Sequence, residues 1–444
     1  MRGVAAALLL AGAGFCQPPV VYREFNLNEL QVPPGFEVSV YAHPGGGPRL
    51  MAFGPNGVLY VALRDTGSVV AVPQADTAVT VVRGLNGPHS LTFVNDDLYV
   101  AVDDGVVRLR GAITSDLVIR SGAERVLTVP AGGQHSTRTA ALHPDGHILV
   151  SAGSTCNFCA ESDARRAAIT RYENDGSGAT LFASGLRNSV GLAWHPLTGE
   201  LWATDNGGDG LGNDVPPDEI NIIRQGGDYG WPDCMGDRQP VNWDARANPA
   251  RCPGTTPPEQ PLQAHSAPLG ISFYTGDQFP ASYQNDAFVA FHGSWNRDEP
   301  TGYKVVRIHA VSGRAAGVED FLWGFLDPAT RSWSGRPVHP LPGPDGALYI
   351  SDDATGNIYR VVYTGPRITP GSVVPHGDGT YDLYGARLAN DPAQVAVFAN
   401  GVSAQLLNVS PAQLTFALPD GITGDVTIMV QNEKASDSTL IHVD

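Results

Sequence analysis

Basic residues are scarce in this chain: 28 Lys and Arg stand against 45 Asp and Glu, a formal net charge of −17. Such a surface repels phosphate backbones and anionic lipid, which excludes nucleic acid as a partner. Helical patterns are scarce too. Lys and Glu are few and no long run of apolar positions recurs at helical spacing, whereas 52 Gly and 35 Pro mark frequent turns. The expected fold class is therefore all-β. Long apolar runs are missing as well. The opening "MRGVAAALLLAGAGFCQ" has an Arg, an apolar run and then small residues, and is shorter than the roughly 20 residues that span a bilayer. It reads as a secretion signal over residues 1–16, with export to the periplasm or outside the cell; no other segment could cross a membrane as a helix.

Cysteine is limited to five residues, and Cys16 leaves with the signal. The remaining even number suits an oxidising compartment and two disulfides. Cys156 and Cys159, in "STCNFCAE", lack the following His of a haem attachment site and any second nearby pair for zinc, so a local bridge is expected. Cys234 with Cys252 is the companion bridge, and the other pairings stay open.

What the chain does have is repetition. An apolar strand, a turn with Pro, Asp, Asn or Gly, and a second strand recur in "MAFGPNGVLYVA" from Met51, "LTFVNDDLYVA" from Leu91, "AALHPDGHILVS" from Ala140, "LAWHPLTGELWAT" from Leu192 and "LPGPDGALYIS" from Leu341. A looser copy starts at Ile271. Six such units at this spacing fit the blades of a β-propeller, each a small sheet that needs neighbours to cover its faces. From about residue 367 the pattern changes to plain alternating strands, compatible with a small Ig-like β-sandwich. The expected organisation is a signal over 1–16, a six-bladed propeller over 17–366 and the sandwich over 367–444.

Propeller ligands sit at the mouth of the central channel, lined by loops that enter the innermost strands. Immediately upstream of the six units stand Arg49, His89, His135, Arg187 with Asn188, His265 and Arg336. One structural place thus carries a polar group in every blade. In "TDNGGDGLGNDVPPDEINIIRQGGDYGWPDC", Asp205, Asp209, Asp214, Asp218 and Glu219 crowd among glycines and prolines, a donor set suited to a hard cation such as calcium, although the spacing matches no EF-hand loop.

Five motifs in order, "GQHSTRTAALHPDG", "GLRNSVGLAWHP", "PPDEINIIRQGGDYGWP", "FVAFHGSWNR" and "GRPVHPLPGPDGALYISDD", resemble the soluble quinoprotein glucose/sorbosone dehydrogenases over about residues 30 to 365. The resemblance implies a six-bladed propeller holding pyrroloquinoline quinone (PQQ) and calcium at the channel mouth and oxidising sugars or related aldehydes, with electrons passed to an external acceptor. It implies His135 as catalytic base, and Arg187 and Asn188 as the pair touching the reacting quinone carbonyl. Glu219 and Tyr229 match a structural calcium pair, and the backbone carbonyls of Asp214 and Val215 match the quinone-bound calcium. "GSWNR" stands where glucose-type members have Ser-Leu-Lys, so Asn296 or Arg297 takes the lysine's place; "GRPV" keeps Arg336 but has Val338 in place of a second arginine. Both departures favour a sorbosone- or pyranose-type relative. The rival functions are a calcium-dependent propeller lactonase, which needs a metal on the axis held by several blades, and a non-catalytic propeller that binds carbohydrate or protein.

Overall fold

The computed structural model describes residues 20–143 and 145–444, so the expected signal over 1–16 lies outside the described residues. Six sheets follow one another along the chain, each with four antiparallel strands, and the third also carries the short strand Gly227–Asp228 in parallel at its edge. Blade 1 comprises Pro48–Phe53, Leu59–Leu63, Ser68–Gln74 and Thr77–Val82; blade 2 comprises Ser90–Val94, Asp97–Val102, Gly105–Leu109 and Glu124–Thr128. Blade 3 is built from Arg138–Leu142, Ile148–Ala152, Ala168–Tyr172 and Thr180–Ser184, and blade 4 from Leu192–Trp194, Leu201–Asp205, Asp218–Ile223 and Gln260–Leu262. Blade 5 uses Pro268–Phe273, Ala287–Phe291, Lys304–Val311 and Arg314–Leu322. Blade 6 takes Pro337–Pro342, Leu348–Asp352 and Ile358–Tyr363, and its outermost strand is Phe36–Ala42, from the other end of the chain. The first strands touch their neighbours in a closed cycle, blade 6 returning to blade 1. The six repeated phrases are the first hairpins of these six blades, and the all-β propeller expected from them is what the chain forms.

Alternation along the strands explains how the ring holds together. In blade 4, Leu201 and Ala203 pack with Leu149, Ile169 and Ala183 of blade 3, while Trp202 between them packs with Ile271, Phe273 and Val289 of blade 5. Period-two patterning thus sends successive side chains to opposite faces of the sheet, and each face finds the next blade. Every blade pair has such a cluster. The largest joins blades 5 and 6, where Phe36, Phe279, Tyr283, Phe288 and Phe321 meet edge-on or tilted.

On the axis itself, Leu50, Val190, Leu269 and Val338 form a separate buried cluster. Val338 has no exposed surface, and this aliphatic plug separates the polar mouth from an apolar groove at the other end lined by Phe53, Phe93, Trp194 and Phe273. After Tyr363 a further seven strands run in one hydrogen-bonded path from Arg367–Pro375 to Ser436–Val443 and enclose their own core of Ile368, Leu383, Leu414, Phe416, Val397, Val426 and Ile428. This unit leans on the ring at Tyr363. A Cβ at Gly35, whose φ is +82, would meet the Tyr363 ring at 2.5 Å and Ala435 at 2.6 Å, so only glycine admits the contact.

Both disulfides, Cys156–Cys159 and Cys234–Cys252, are present. On the chain-entropy estimate the longer loop is worth about 3 kcal/mol and the shorter about 2 kcal/mol.

Candidate functional site

Antiparallel pairing of the first two strands decides what reaches the channel mouth. In blade 1, Pro48 faces Leu63; in blade 2, Ser90 faces Ala101; in blade 3, Arg138 faces Ala152. The start of each first strand therefore lies beside the end of the second, and each blade delivers two positions to the same rim. The upstream set contributes Arg49, His135 and Asn188. The residues following the second strands, Arg64, Asp103, Gly153, Asn206, His292 and Asp353, form the other half of the rim. A cavity of about 420 Å³ lies between them, lined among others by Arg49, Arg64, His135, Asn188, His292 and Asp353, with Val190 and Leu269 of the plug as its floor.

His135 is fixed through one nitrogen. Ser154 donates its hydroxyl to Cys156 O at 2.6 Å, so its oxygen is left to accept from His135 Nδ1 at 2.9 Å, with Ser154 O a second acceptor at 3.1 Å. The proton thus sits on Nδ1 and the lone pair on Nε2. Burial, followed by the charges of Arg187, Arg138 and Arg166, pushes the imidazole down to about 4 against an acceptor bond from Ser154 that raises it. The ordinary value of an imidazole is about 6.5; held well below it, His135 is neutral at pH 7.

Arg187 is almost fully buried and braced on all sides. It donates through Nε to Asn157 O at 3.3 Å, through Nη1 to Asn206 O at 3.3 Å, and through Nη2 to Asn157 Oδ1 at 3.0 Å and Asp209 Oδ2 at 2.8 Å. Of the five N–H groups of a guanidinium, one on Nη1 remains. Its backbone N–H and that of Asn188 both donate to Asp205, at 2.9 and 2.7 Å. The other oxygen of Asp209 accepts from Asn296 Nδ2 at 2.7 Å, which brings Asn296 to the same wall. Arg297 instead pairs with Asp214 at 2.8 Å and also bonds Asn213 O, tying two rim loops together outside the cavity lining. Arg336 donates to the carbonyls of His292 and Gly293 at 3.0 and 3.2 Å and lies against Tyr303 and Trp333.

Sequence reasoning overlooked the counter-charges. Asp353 pairs with Arg49 and accepts from His292 Nε2 at 2.8 Å, while Asp103 accepts from Arg64 Nη2 at 2.7 and 2.8 Å. His89 donates from Nδ1 to Arg138 O at 3.2 Å and so receives Arg49 Nη2 on Nε2, also at 3.2 Å. The signal was present: the polar residue after each "LYVAL", "LYVAV" or "LYISD" strand closes the same register that the upstream residues open.

Behind the rim, Asp205, Asp218 and Glu219 are buried at the ends of two paired strands of blade 4, with Asp205 directly opposite Glu219. Burial pushes Asp205 up to about 7 and Asp218 to about 6; burial and the Asp205 charge push Glu219 to about 8. Glu219 accepts from Gly236 N and Asn221 Nδ2, both at 3.0 Å, and Asn221 Oδ1 is buried without a partner. Crowded buried carboxylates with no salt-bridge partner among the described residues, Arg187 being a more distant positive charge, fit a divalent cation. The Tyr229 hydroxyl is taken by Ile222 O at 2.6 Å and Arg224 N at 3.0 Å, so toward a cation Tyr229 has its backbone carbonyl to offer. Asp214 and Val215 lie on the exposed connection that precedes Asp218.

The mouth also fits a planar anionic quinone. Arg49 Nε, Arg64 Nε and Asn296 Oδ1 are buried with no partner among the described residues. At Gly153 a Cβ would come within 2.5 Å of His135 and 2.6 Å of Asn188 Oδ1, so the side-chain-free position lets the imidazole and the carboxamide approach each other.

The comparisons agree with this architecture. A family model described as TrAA12-like matches residues 30–364. The chain belongs to the TrAA12-like family. Within that reach, an uncharacterized protein of Borreliella burgdorferi is 31% identical over 350 residues, 75% of this chain and 91% of the relative. A protein of Hypocrea jecorina named pyrroloquinoline quinone-dependent sugar dehydrogenase is 27% identical over 285 residues, 54% of this chain and 65% of its own. The holo form of the PQQ domain of Coprinopsis cinerea pyranose dehydrogenase superposes with a TM-score of 0.66 at 19% identity, over 75% of this chain and 97% of that one. The TrAA12-like match takes in all six blades and ends one residue after Tyr363, where the seven-stranded unit begins to form.

Proposed function

We propose that this chain is an exported, PQQ- and calcium-dependent sugar dehydrogenase of the sorbosone or pyranose type, with His135 as general base. The observation that carries the reading is a neutral imidazole of fixed tautomer on a cavity wall shared with Asn188, the buried Arg49 and the half-buried Arg64. Membership of the TrAA12-like family and the sugar-oxidising names of its relatives support it. The propeller over 17–366 is the catalytic unit, and the sandwich over 367–444 serves attachment or spacing. Two disulfides fit export, and no described helix is long and apolar enough to cross a membrane.

The residues divide the work. His135, with Nδ1–H committed to Ser154, takes the sugar hydroxyl proton on Nε2; positioned bases of this kind contribute about 10²- to 10⁴-fold. When bound, the quinone would supply the hydride acceptor, with an external acceptor as the final destination of the electrons. The remaining Nη1–H of Arg187 and the Asn188 side chain present fixed donors where negative charge builds up, with no reorganisation to make. Arg49, Arg64 and Arg336 balance the anionic charge of the cofactor, and of Asn296 and Arg297 it is Asn296, on the wall beside Arg187, that takes the place of the lysine of glucose-type members. Asp214 and Val215 offer carbonyls to the calcium at the quinone, and Glu219 and Tyr229 hold a structural calcium. Below, the plug of Leu50, Val190, Leu269 and Val338 keeps water from entering along the axis.

Reconstitution tests the proposal. Purified protein should reduce a dye with an aldose or pyranose only when PQQ and calcium are both supplied, and His135→Ala should lose at least a hundredfold in kcat while keeping its unfolding temperature. A fully active His135→Ala would remove the base from the mechanism, and turnover without quinone would remove the function.

A further inference from the structure

The ring closed by Cys156–Cys159 belongs to no blade strand; it sits in the connection between Ile148–Ala152 and Ala168–Tyr172 of blade 3. Its members nevertheless reach both walls of the site. Cys156 O receives the Ser154 hydroxyl, which leaves Ser154 Oγ to accept from His135 Nδ1. Asn157 uses every polar atom of its side chain on the other wall: Oδ1 accepts from Arg187 Nη2 at 3.0 Å and Asp209 N at 2.8 Å, and Nδ2 donates to Asp209 O at 2.8 Å. Its carbonyl accepts from Arg187 Nε and from Trp231 Nε1, the latter at 2.9 Å. Phe158 covers Gly208, where a Cβ would come within 2.0 Å of its ring.

We propose that this disulfide-closed ring is the element that positions the imidazole and the guanidinium together, with Asn157 the positioning residue for Arg187 and Ser154 that for His135. The proposal rests on the function above for the roles of those two groups. Asp209 cannot hold the guanidinium alone, because one of its oxygens is taken by Asn296. The missing anchors are two acceptors on one residue, Asn157 O and Oδ1, and they meet the Nε/Nη2 edge of Arg187 as a fork. A covalently closed ring of four residues keeps these acceptors and Cys156 O at fixed separation. The two reacting groups are thereby set by one piece of backbone. Charge links them too, since His135 faces Arg187 together with Arg138 and Arg166.

Full-length Asn157→Ala and Cys156→Ser/Cys159→Ser variants test this by two readouts. The first is the NMR titration of the His135 imidazole without quinone, assigned with His135→Gln. The second is titration with PQQ alone, followed by tryptophan fluorescence. Opening the ring should raise the His135 midpoint and weaken PQQ binding by about 10- to 100-fold. Asn157→Ala should do the same with the disulfide intact, and adding it to the opened ring should cost nothing further. Ser154→Ala keeps Ser154 O as acceptor for Nδ1–H, so the tautomer should persist while the His135 midpoint falls and PQQ affinity stays within about twofold. An opened ring with unchanged His135 titration and PQQ affinity would overturn the proposal; if that variant does not fold, the same null result in Asn157→Ala overturns it. If PQQ fails to bind even the unaltered protein, the proposed function falls, and the imidazole titration still decides whether the ring holds His135.

Discussion

Asp353→Asn removes the single carboxylate that serves Arg49 and His292 at once. Arg49 is 9% exposed, and its only other acceptor among the described residues is His89 Nε2. At an effective dielectric of 20 and a separation of about 4 Å, the charge pair is worth about 4 kcal/mol. Breaking a buried pair from one side typically costs 3–5 kcal/mol, because the surviving charge stays out of water. The retained His89 contact and the partial access from the mouth put the expected loss near the bottom of that range, about 3 kcal/mol. Urea unfolding at pH 7 followed by tryptophan fluorescence measures it, with Asp116→Asn as the control. Asp116 also pairs with an arginine, Arg120, but on the open surface, where the loss should not be measurable. Equal effects for the two variants would refute the argument that burial, and not pairing as such, makes Asp353 important.

Lowering the pH should weaken the ring through its buried histidines. His339 receives Met51 N–H on Nδ1 at 3.1 Å, and burial pushes it down to about 3, so between pH 6.5 and 3 the unfolded chain binds the extra proton and stability is lost as pH falls. His339→Gln should flatten the dependence of the urea midpoint on pH in this window by up to about 1.4 kcal/mol per pH unit; an unchanged slope would count against a buried neutral His339. Calcium at 100 times its dissociation constant should stabilise the protein by about 2.7 kcal/mol, read as a rise in unfolding temperature. Glu219→Gln should abolish that rise, and an undiminished rise would move the metal away from blade 4.

The sequence showed the ring because each blade opens with the same strand-turn-strand phrase, and local pattern is what a repeat preserves. It showed half of the rim for the same reason: Arg49, His135 and Asn188 each stand within a few residues of the phrase that opens their blade. Asp353, His292 and Arg64 occupy an equally regular place, but only the antiparallel register connects the end of one strand with the start of another, and register belongs to the folded sheet. The partners of Arg187 were less accessible still. Asn157 and Asp209 come from irregular connections of different blades, and Asp209 first read as one more member of an acidic loop suited to calcium. The local bridge between Cys156 and Cys159 was expected from spacing; that its ring reaches both His135 and Arg187 depends on the path of a loop with no periodicity to read.

Closure of the sixth blade by Phe36–Ala42 makes the order of synthesis matter. That strand leaves the ribosome first, yet its hydrogen-bonding partner, Ile358–Tyr363, is among the last parts of the ring to emerge. Throughout the interval its edge has no hydrogen-bonding mate, and Phe36 waits for Phe279 and Phe321, so the circle can lock only once nearly the whole ring has been made. A nascent chain interrupted anywhere before Tyr363 is an open arc with two unfinished margins, and a covalent join between neighbouring early and late segments would spare it that wait.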